Sequence, residues 1–252
     1  MSRAGAPAST VAARAPSRPT PRGYMAQSAL PLASLVFILP ALVLYEVGTQ
    51  HFMTDPGTER RIIADNLLAD FLSLFGANRP YLPALSVVGI LLTWHIARND
   101  AWKVSPMVLV GMLIESVLLA GPLILLSLVF SRYVPLFATA GHAAPDIVLN
   151  LGAGIYEELL FRLIAFTLLN LLMVDLLRCP KRLSGLLIVL ISAIGFSAYH
   201  YLGDEQFVMH TFAFRTLAGI FFGFTFLIRG YGITAGAHAS YDVILTLARN
   251  VA

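Results

Sequence analysis

Asn150-Leu151-Gly152-Ala153-Gly154-Ile155-Tyr156-Glu157-Glu158-Leu159-Leu160-Phe161-Arg162 sets two adjacent carboxylates and an arginine inside a run otherwise as apolar as lipid. A charge at the centre of a membrane helix costs roughly 2.5–3.5 kcal/mol on insertion scales. Three such groups within six positions require a partner or a function. On a helix, Glu158 and Arg162 stand at i,i+4 and share a face, where they can pair. Glu157 points away from that pair and has no partner within its own helix. One carboxylate reads as structurally neutralised, the other as available for chemistry.

The rest of the chain agrees with a lipid setting. Of its 252 residues, 58% are hydrophobic and 12% charged, whereas soluble domains carry about 25% charged residues. Mean hydropathy is +0.77. The chain therefore reads as all-α: a polytopic transmembrane helix bundle of about seven spans (six to eight) plus one interfacial amphipathic helix. The net charge of +3 is no nucleic-acid signal, because the cations lie mostly in the tail and connecting loops. A single cysteine, Cys179, excludes an intrachain disulfide and reads as an inert thiol.

Residues 1–27 are rich in Ala, Ser, Pro and Arg, with Arg3, Arg14, Arg18 and Arg22 and no acid. They read as a disordered basic tail, preferred over an organellar transit peptide of similar composition. Residues 28–145 hold the N-terminal spans, near 28–48 with Pro40 inside, 81–97, and 105–130 with Glu115. Between the first two spans, Arg61–Phe75 mixes Ile62, Ile63, Leu67 and Phe71 with Asp65, Asn66 and Asp70, too polar to cross and suited to the interface. Residues 146–252 carry spans near 146–174, 184–202, 208–228 and 233–249, with Gly219 and Gly223 in a small-xxx-small pattern. Ten tail and loop cations fall on one side of this topology and five on the other. That places the N terminus inside, in what reads as a prokaryotic cytoplasmic membrane. His95 and His210 read as interfacial, and Glu115 as paired with Arg215 or a backbone group.

Two further constellations sit on late spans. Phe196-Ser197-Ala198-Tyr199-His200 and His238-Ala239-Ser240-Tyr241-Asp242 each put their first and last members at i,i+4. The depths of Glu157, His200 and His238 agree to about one or two helical turns. A Glu–His pair in an apolar site is a competent general base for water, and a second histidine can donate to a developing oxyanion. The chemistry this suggests is hydrolysis of a carbonyl in a helix-lined cavity. Ser197 and Ser240 lack a nucleophile context, since small hydroxyls are common where spans meet. Glu157, His200 and His238 also offer three ligands for a zinc ion with water in the fourth position, although no HExxH pattern is present.

Glu157-Glu158-x-x-x-Arg162, Phe196-x-x-x-His200 and His238-x-x-x-Asp242, in that order, resemble the CPBP family of CAAX-protease and bacteriocin-processing type intramembrane proteases, related to the Ras-converting CAAX protease. The resemblance spans about 146–250. It implies an intramembrane endopeptidase of glutamic type, needing no cofactor, that hydrolyses a peptide bond in a membrane-associated protein or peptide substrate. It implies that Glu157 and His200 activate the water, that His238 serves the oxyanion, and that Glu158 and Arg162 support them. Asp242 stands where the family more often has asparagine. An ionised aspartate cannot donate to an oxyanion, but it can hold His238 protonated so that the histidine donates alone. Two other functions use the same residues: a non-proteolytic membrane scaffold or immunity factor of this fold, and a proton-coupled transporter, whose relays also place Glu and His in spans.

Overall fold

The computed structural model describes residues 18–52, 61–130, 143–203 and 205–251. Most of the basic tail, Arg60, the 131–142 loop and Asp204 lie outside these residues. The elements are helices throughout: α1 Tyr24–Ser28, α2 Pro31–Phe52, α3 Ile63–Ser73, α4 Leu82–Arg98, α5 Pro106–Phe130, α6 Ala143–Glu158, α7 Ala165–Asn170, α8 Lys181–Tyr199, α9 Met209–Arg229 and α10 Tyr231–Val251. Wider π-helical turns, Leu159–Ile164 and Leu171–Leu176, continue α6 into α7 and beyond.

Among the described residues, five helical stretches are long and apolar enough to cross a membrane: Pro31–Phe52, Pro106–Phe130, Ala143–Leu176, Lys181–Leu202 and Met209–Arg229. The protein is an integral membrane helix bundle. The other two expected spans differ for physical reasons. α4 is apolar but only 17 residues long. α10 is 21 residues long, yet it packs on α2, α5, α6 and α9 at once. A helix enclosed by protein has no need of a lipid-facing apolar surface, so its sequence is more polar. By contrast α5 turns Leu113, Ile114, Val117, Leu118, Leu125 and Val129 outward, and α8 does so with Leu183, Leu186, Leu190 and Ile194. These are lipid-facing stripes rather than defects in packing.

Small residues let the central helices approach. A Cβ added at Gly154 of α6 would lie 2.7 Å from the Ala235 carbonyl oxygen and 2.7 Å from the Ala239 nitrogen, both in α10. Backbone cannot move aside as a side chain can. Gly154→Ala therefore separates α6 from α10, and a loss of about 1–3 kcal/mol is expected, read as faster thermal inactivation in detergent. Gly219 of α9 meets the Ala193 Cα of α8 at 2.9 Å in the same sense, the close contact anticipated from its spacing with Gly223. Gly230 alone links α9 to α10, at φ +80°, a conformation glycine adopts without strain.

Side chains at the first three helices depart from expectation. Tyr24 and Arg229 both bond the Glu115 carboxylate, and Arg229 also reaches Ser28 at 2.9 Å. Glu115 thus pairs with Arg229, not Arg215; the latter is held by Glu205 at 2.8 and 2.9 Å. α5 lies along α9 with Phe130 beside Phe214, so Glu115, several turns earlier in α5, falls at the Arg229 end of α9 rather than at the Arg215 end. From Arg18 onward the chain already lies on the bundle, with the Arg18 N–H on the Asn99 carbonyl at 2.7 Å. His95 is fully buried rather than interfacial, edge-on to Trp102 at 4.4 Å. On α3 the polarity is reversed from that of a helix over water. Asp65 is buried under Tyr45 and Arg61, at 2.8 and 2.7 Å, while Phe71, Leu74 and Phe75 face out.

Candidate active site

Glu157 and Glu158 close the regular part of α6, and the π-helical turn that follows carries Arg162. Such turns inside α-helices are frequent at functional sites. The carbonyl of Phe161, within it, accepts from the Ser192 hydroxyl of α8 at 2.8 Å. The carbonyl of Ile155, one turn earlier, accepts from the Tyr231 hydroxyl at 2.9 Å. Two neighbouring helices thereby hold the segment that aims the charged side chains.

Glu158 and Arg162 are fully buried and face each other at 3.1 Å, Oε2 to Nε. The contact is Coulombic rather than an aligned hydrogen bond, since neither atom finds a hydrogen-bond partner among the described residues. Arg162 compensates by donating to the Gly219 carbonyl at 3.1 Å and lying over the Phe196 ring at 4.5 Å. A cation against an aromatic face gains most where water is excluded. The other oxygen of Glu158 meets His238 Nδ1 at 2.8 Å. Across the ring, His238 Nε2 lies 3.3 Å from Asp242 Oδ2. Phe222 stacks on the imidazole at 4.6 Å, so ring plane and ring edges are all fixed.

Glu157 is held differently. Its Oε1 accepts from the Tyr199 hydroxyl at 3.1 Å. Its Oε2 is buried without a hydrogen-bond partner among the described residues. That oxygen lies 3.9 Å from His200 Nε2 and 3.8 Å from His238 Nε2. His200 starts the single 3-10 turn after α8 and sets Nδ1 at 2.8 Å from the Phe196 carbonyl. A carbonyl only accepts, so this contact assigns the proton to Nδ1 and leaves Nε2 as an acceptor facing Glu157.

All six residues singled out in the sequence thus meet at one place. Glu157, His200, His238 and Asp242 line a single cavity of about 520 Å3 that also reaches Arg215 and Arg249. Glu158 and Arg162 lie behind it. The apolar walls are Phe196, Phe214, Ala218 and Phe222. Among the described residues, no group of three or more His, Cys, Asp or Glu side chains is placed to hold a metal ion.

Tyr199 was missed in the sequence, though it adjoins His200. Its hydroxyl donates to Glu157 and accepts the Ala64 N–H at 2.9 Å. That N–H belongs to the first turn of α3 and has no partner within its helix. A tyrosine one residue from a candidate histidine is the signal that was available. Its reach to α3, 135 positions away in sequence, was not.

Residues 139–244 match the family model described as type II CAAX prenyl endopeptidase Rce1-like, a stretch of roughly two fifths of the chain. No curated protein and no solved structure matches the chain. The matched stretch contains every one of the six site residues and the whole π-helical turn.

Proposed function

We propose, on the likeness of residues 139–244 to the Rce1-like CAAX endopeptidase model, that this protein is an intramembrane endopeptidase of glutamic type, hydrolysing a peptide bond in a membrane-associated protein or peptide. The observation that carries the reading is the free oxygen of Glu157, set between two histidines on a cavity wall.

Water held between Glu157 Oε2 and His200 Nε2 donates one hydrogen to each, and its oxygen attacks the scissile carbonyl carbon. Glu157 takes the proton as the C–O bond forms. The carbonyl oxygen becomes an oxyanion beside His238 Nε2. With Glu158 and Asp242 both ionised, each ring nitrogen of His238 bonds an acceptor-only group, so both carry protons. The Nε2–H directed at Asp242 is then the donor that the oxyanion takes over. Glu157 returns its proton to the departing nitrogen as the C–N bond breaks; the carboxylic acid left behind gives up the water's second hydrogen, held toward His200, to the amine, and a carboxylate and an ammonium leave. Asp242 in place of asparagine does not break this scheme, because the donor is the histidine.

Tyr199 is a positioning residue in this scheme. By occupying Oε1 it directs Oε2 at the cavity. Tyr199→Phe keeps the ring and removes the donor. The expected result is a kcat lowered by about 10–150-fold with KM little changed, the worth of one hydrogen bond to a charged group. A merely structural role would instead lower the melting temperature and leave kcat of the folded fraction intact.

The substrate class proposed here rests on the family description and on the apolar, lipid-facing helices of the bundle, with both of which a prenylated C-terminal segment is compatible. The test is a comparison of membrane-protein termini by mass spectrometry in cells carrying the native chain or Glu157→Ala. A terminus present only with the native chain identifies reaction and substrate. Identical termini, with the variant still rescuing a deletion phenotype, would favour a scaffold.

A further inference from the structure

The acids and bases used for hydrolysis occupy one part of the cavity, and a cation that hydrolysis does not use occupies another. Arg249 lines the same cavity. Its Nε is buried and without a hydrogen-bond partner among the described residues. The protein's other enclosed arginines are matched: Arg61 by Asp65, Arg162 by Glu158, Arg215 by Glu205 and Arg229 by Glu115. Arg249 as a whole is half-buried, and an Nε–H withdrawn from water with no acceptor costs stability. It becomes favourable when a ligand brings a carboxylate, which the guanidinium fork grips with two parallel hydrogen bonds.

The position of Arg249 sets a distance. His238, Asp242, Leu245 and Arg249 follow one stripe of α10, and all line the cavity. At 1.5 Å per residue, Arg249 lies about 10 Å along the axis from Asp242 and roughly 16 Å from His238. An extended peptide spans such a length in about three to five residues. We propose that Arg249 receives the C-terminal carboxylate of the substrate, so that the cut falls a few residues before the substrate's end. The inference rests on the peptidase reading and makes Arg249 a specificity-determining residue. Arg215 does not compete for that role, because Glu205 already holds both of its terminal nitrogens.

The experiment uses the full chain in detergent and two fluorogenic prenylated peptides, identical except that one ends in a free carboxylate and the other in an amide. The native chain is expected to cleave the acid with kcat/KM about ten- to a hundredfold above the amide, the span of a lost charge-assisted contact. Arg249→Gln is expected to bring that ratio close to one, and Arg249→Lys to keep part of it. Equal cleavage of acid and amide by the native chain would overturn the proposal and leave the peptidase reading standing. So would an Arg249→Gln variant that keeps the full ratio while losing rate on both peptides, a pattern that fits a lipid headgroup or a structural role. Cleavage of neither peptide by the native chain would overturn the peptidase reading, and this subsite with it.

Discussion

Glu157→Gln lowers kcat by about 10³-fold on any peptide the native chain cleaves, with KM changed little. Glutamine fills the same volume and can still accept from Tyr199, so the fold and the cavity wall survive. What it cannot do is take a proton from water at Oε2 and return it to the leaving amine. General base and general acid contributions lie at about 10²–10⁴-fold, and the proposed mechanism assigns both in turn to this one residue. His200 Nε2 stands 3.9 Å from Glu157 Oε2, and in the proposed mechanism both hold the same water. The two therefore act as a unit, and such units are strongly non-additive. Glu157→Gln combined with His200→Ala is expected to fall no further than about threefold below the single variant. Purified protein, one peptide and steady-state kinetics suffice to check this. Additive losses would show that the two residues serve different steps, and native rates in the single variant would remove Glu157 from the chemistry.

Arg162→Met destabilises the bundle by about 3–5 kcal/mol, because it strands a buried carboxylate. Glu158 is fully enclosed, and its Oε2, without a hydrogen-bond partner among the described residues, faces the Arg162 guanidinium at 3.1 Å. Removing the cation also abandons the Gly219 carbonyl and the Phe196 ring face. Replacing both charges behaves differently. Glu158→Leu with Arg162→Met leaves no orphan charge, and apolar replacements of buried ion pairs are often neutral or stabilising. The double variant is therefore expected to regain most of the stability and none of the activity, since His238 loses its partner at Nδ1. Thermal unfolding and peptide cleavage, measured on the same detergent preparations, separate the two quantities. Should the double variant prove active, Glu158 would be needed for folding alone. A single variant as stable as the native chain would show that water reaches the pair.

These outcomes bear on why the site was legible before any coordinates. Glu157, Glu158, Arg162, His200, His238 and Asp242 stand out because charge in an apolar helix is costly and therefore informative. The same reasoning located the lipid-crossing helices, because lipid demands unbroken apolar runs of a set length. It was least informative where protein replaces lipid. Asp65 and His95 looked like surface groups, yet both are buried. Short polar stretches mark water in an interface helix and hydrogen-bonded partners in a packed one, and the residues alone do not distinguish these. Glu115 shows the same limit. Its need for a cation was evident, but the choice of Arg229 over Arg215 depends on how α5 is set along α9, with Phe130 at Phe214 and Glu115 at Arg229.

By itself, then, the sequence determined that this is a helical membrane protein with a set of carboxylate, histidine and arginine side chains inside its last spans. Composition and i,i+4 spacing are local properties, and lipid penalises every departure from them. Only the tertiary structure decided that Glu157 Oε2 stays free while Oε1 is taken by Tyr199. It alone decided that His238 is gripped between Glu158 and Asp242, and that Arg249 shares their cavity with its Nε unpartnered among the described residues. Those facts depend on how helices distant in sequence are rotated against one another. That rotation is set by close approaches such as Gly154 on α10, which hydropathy and spacing along one helix do not record.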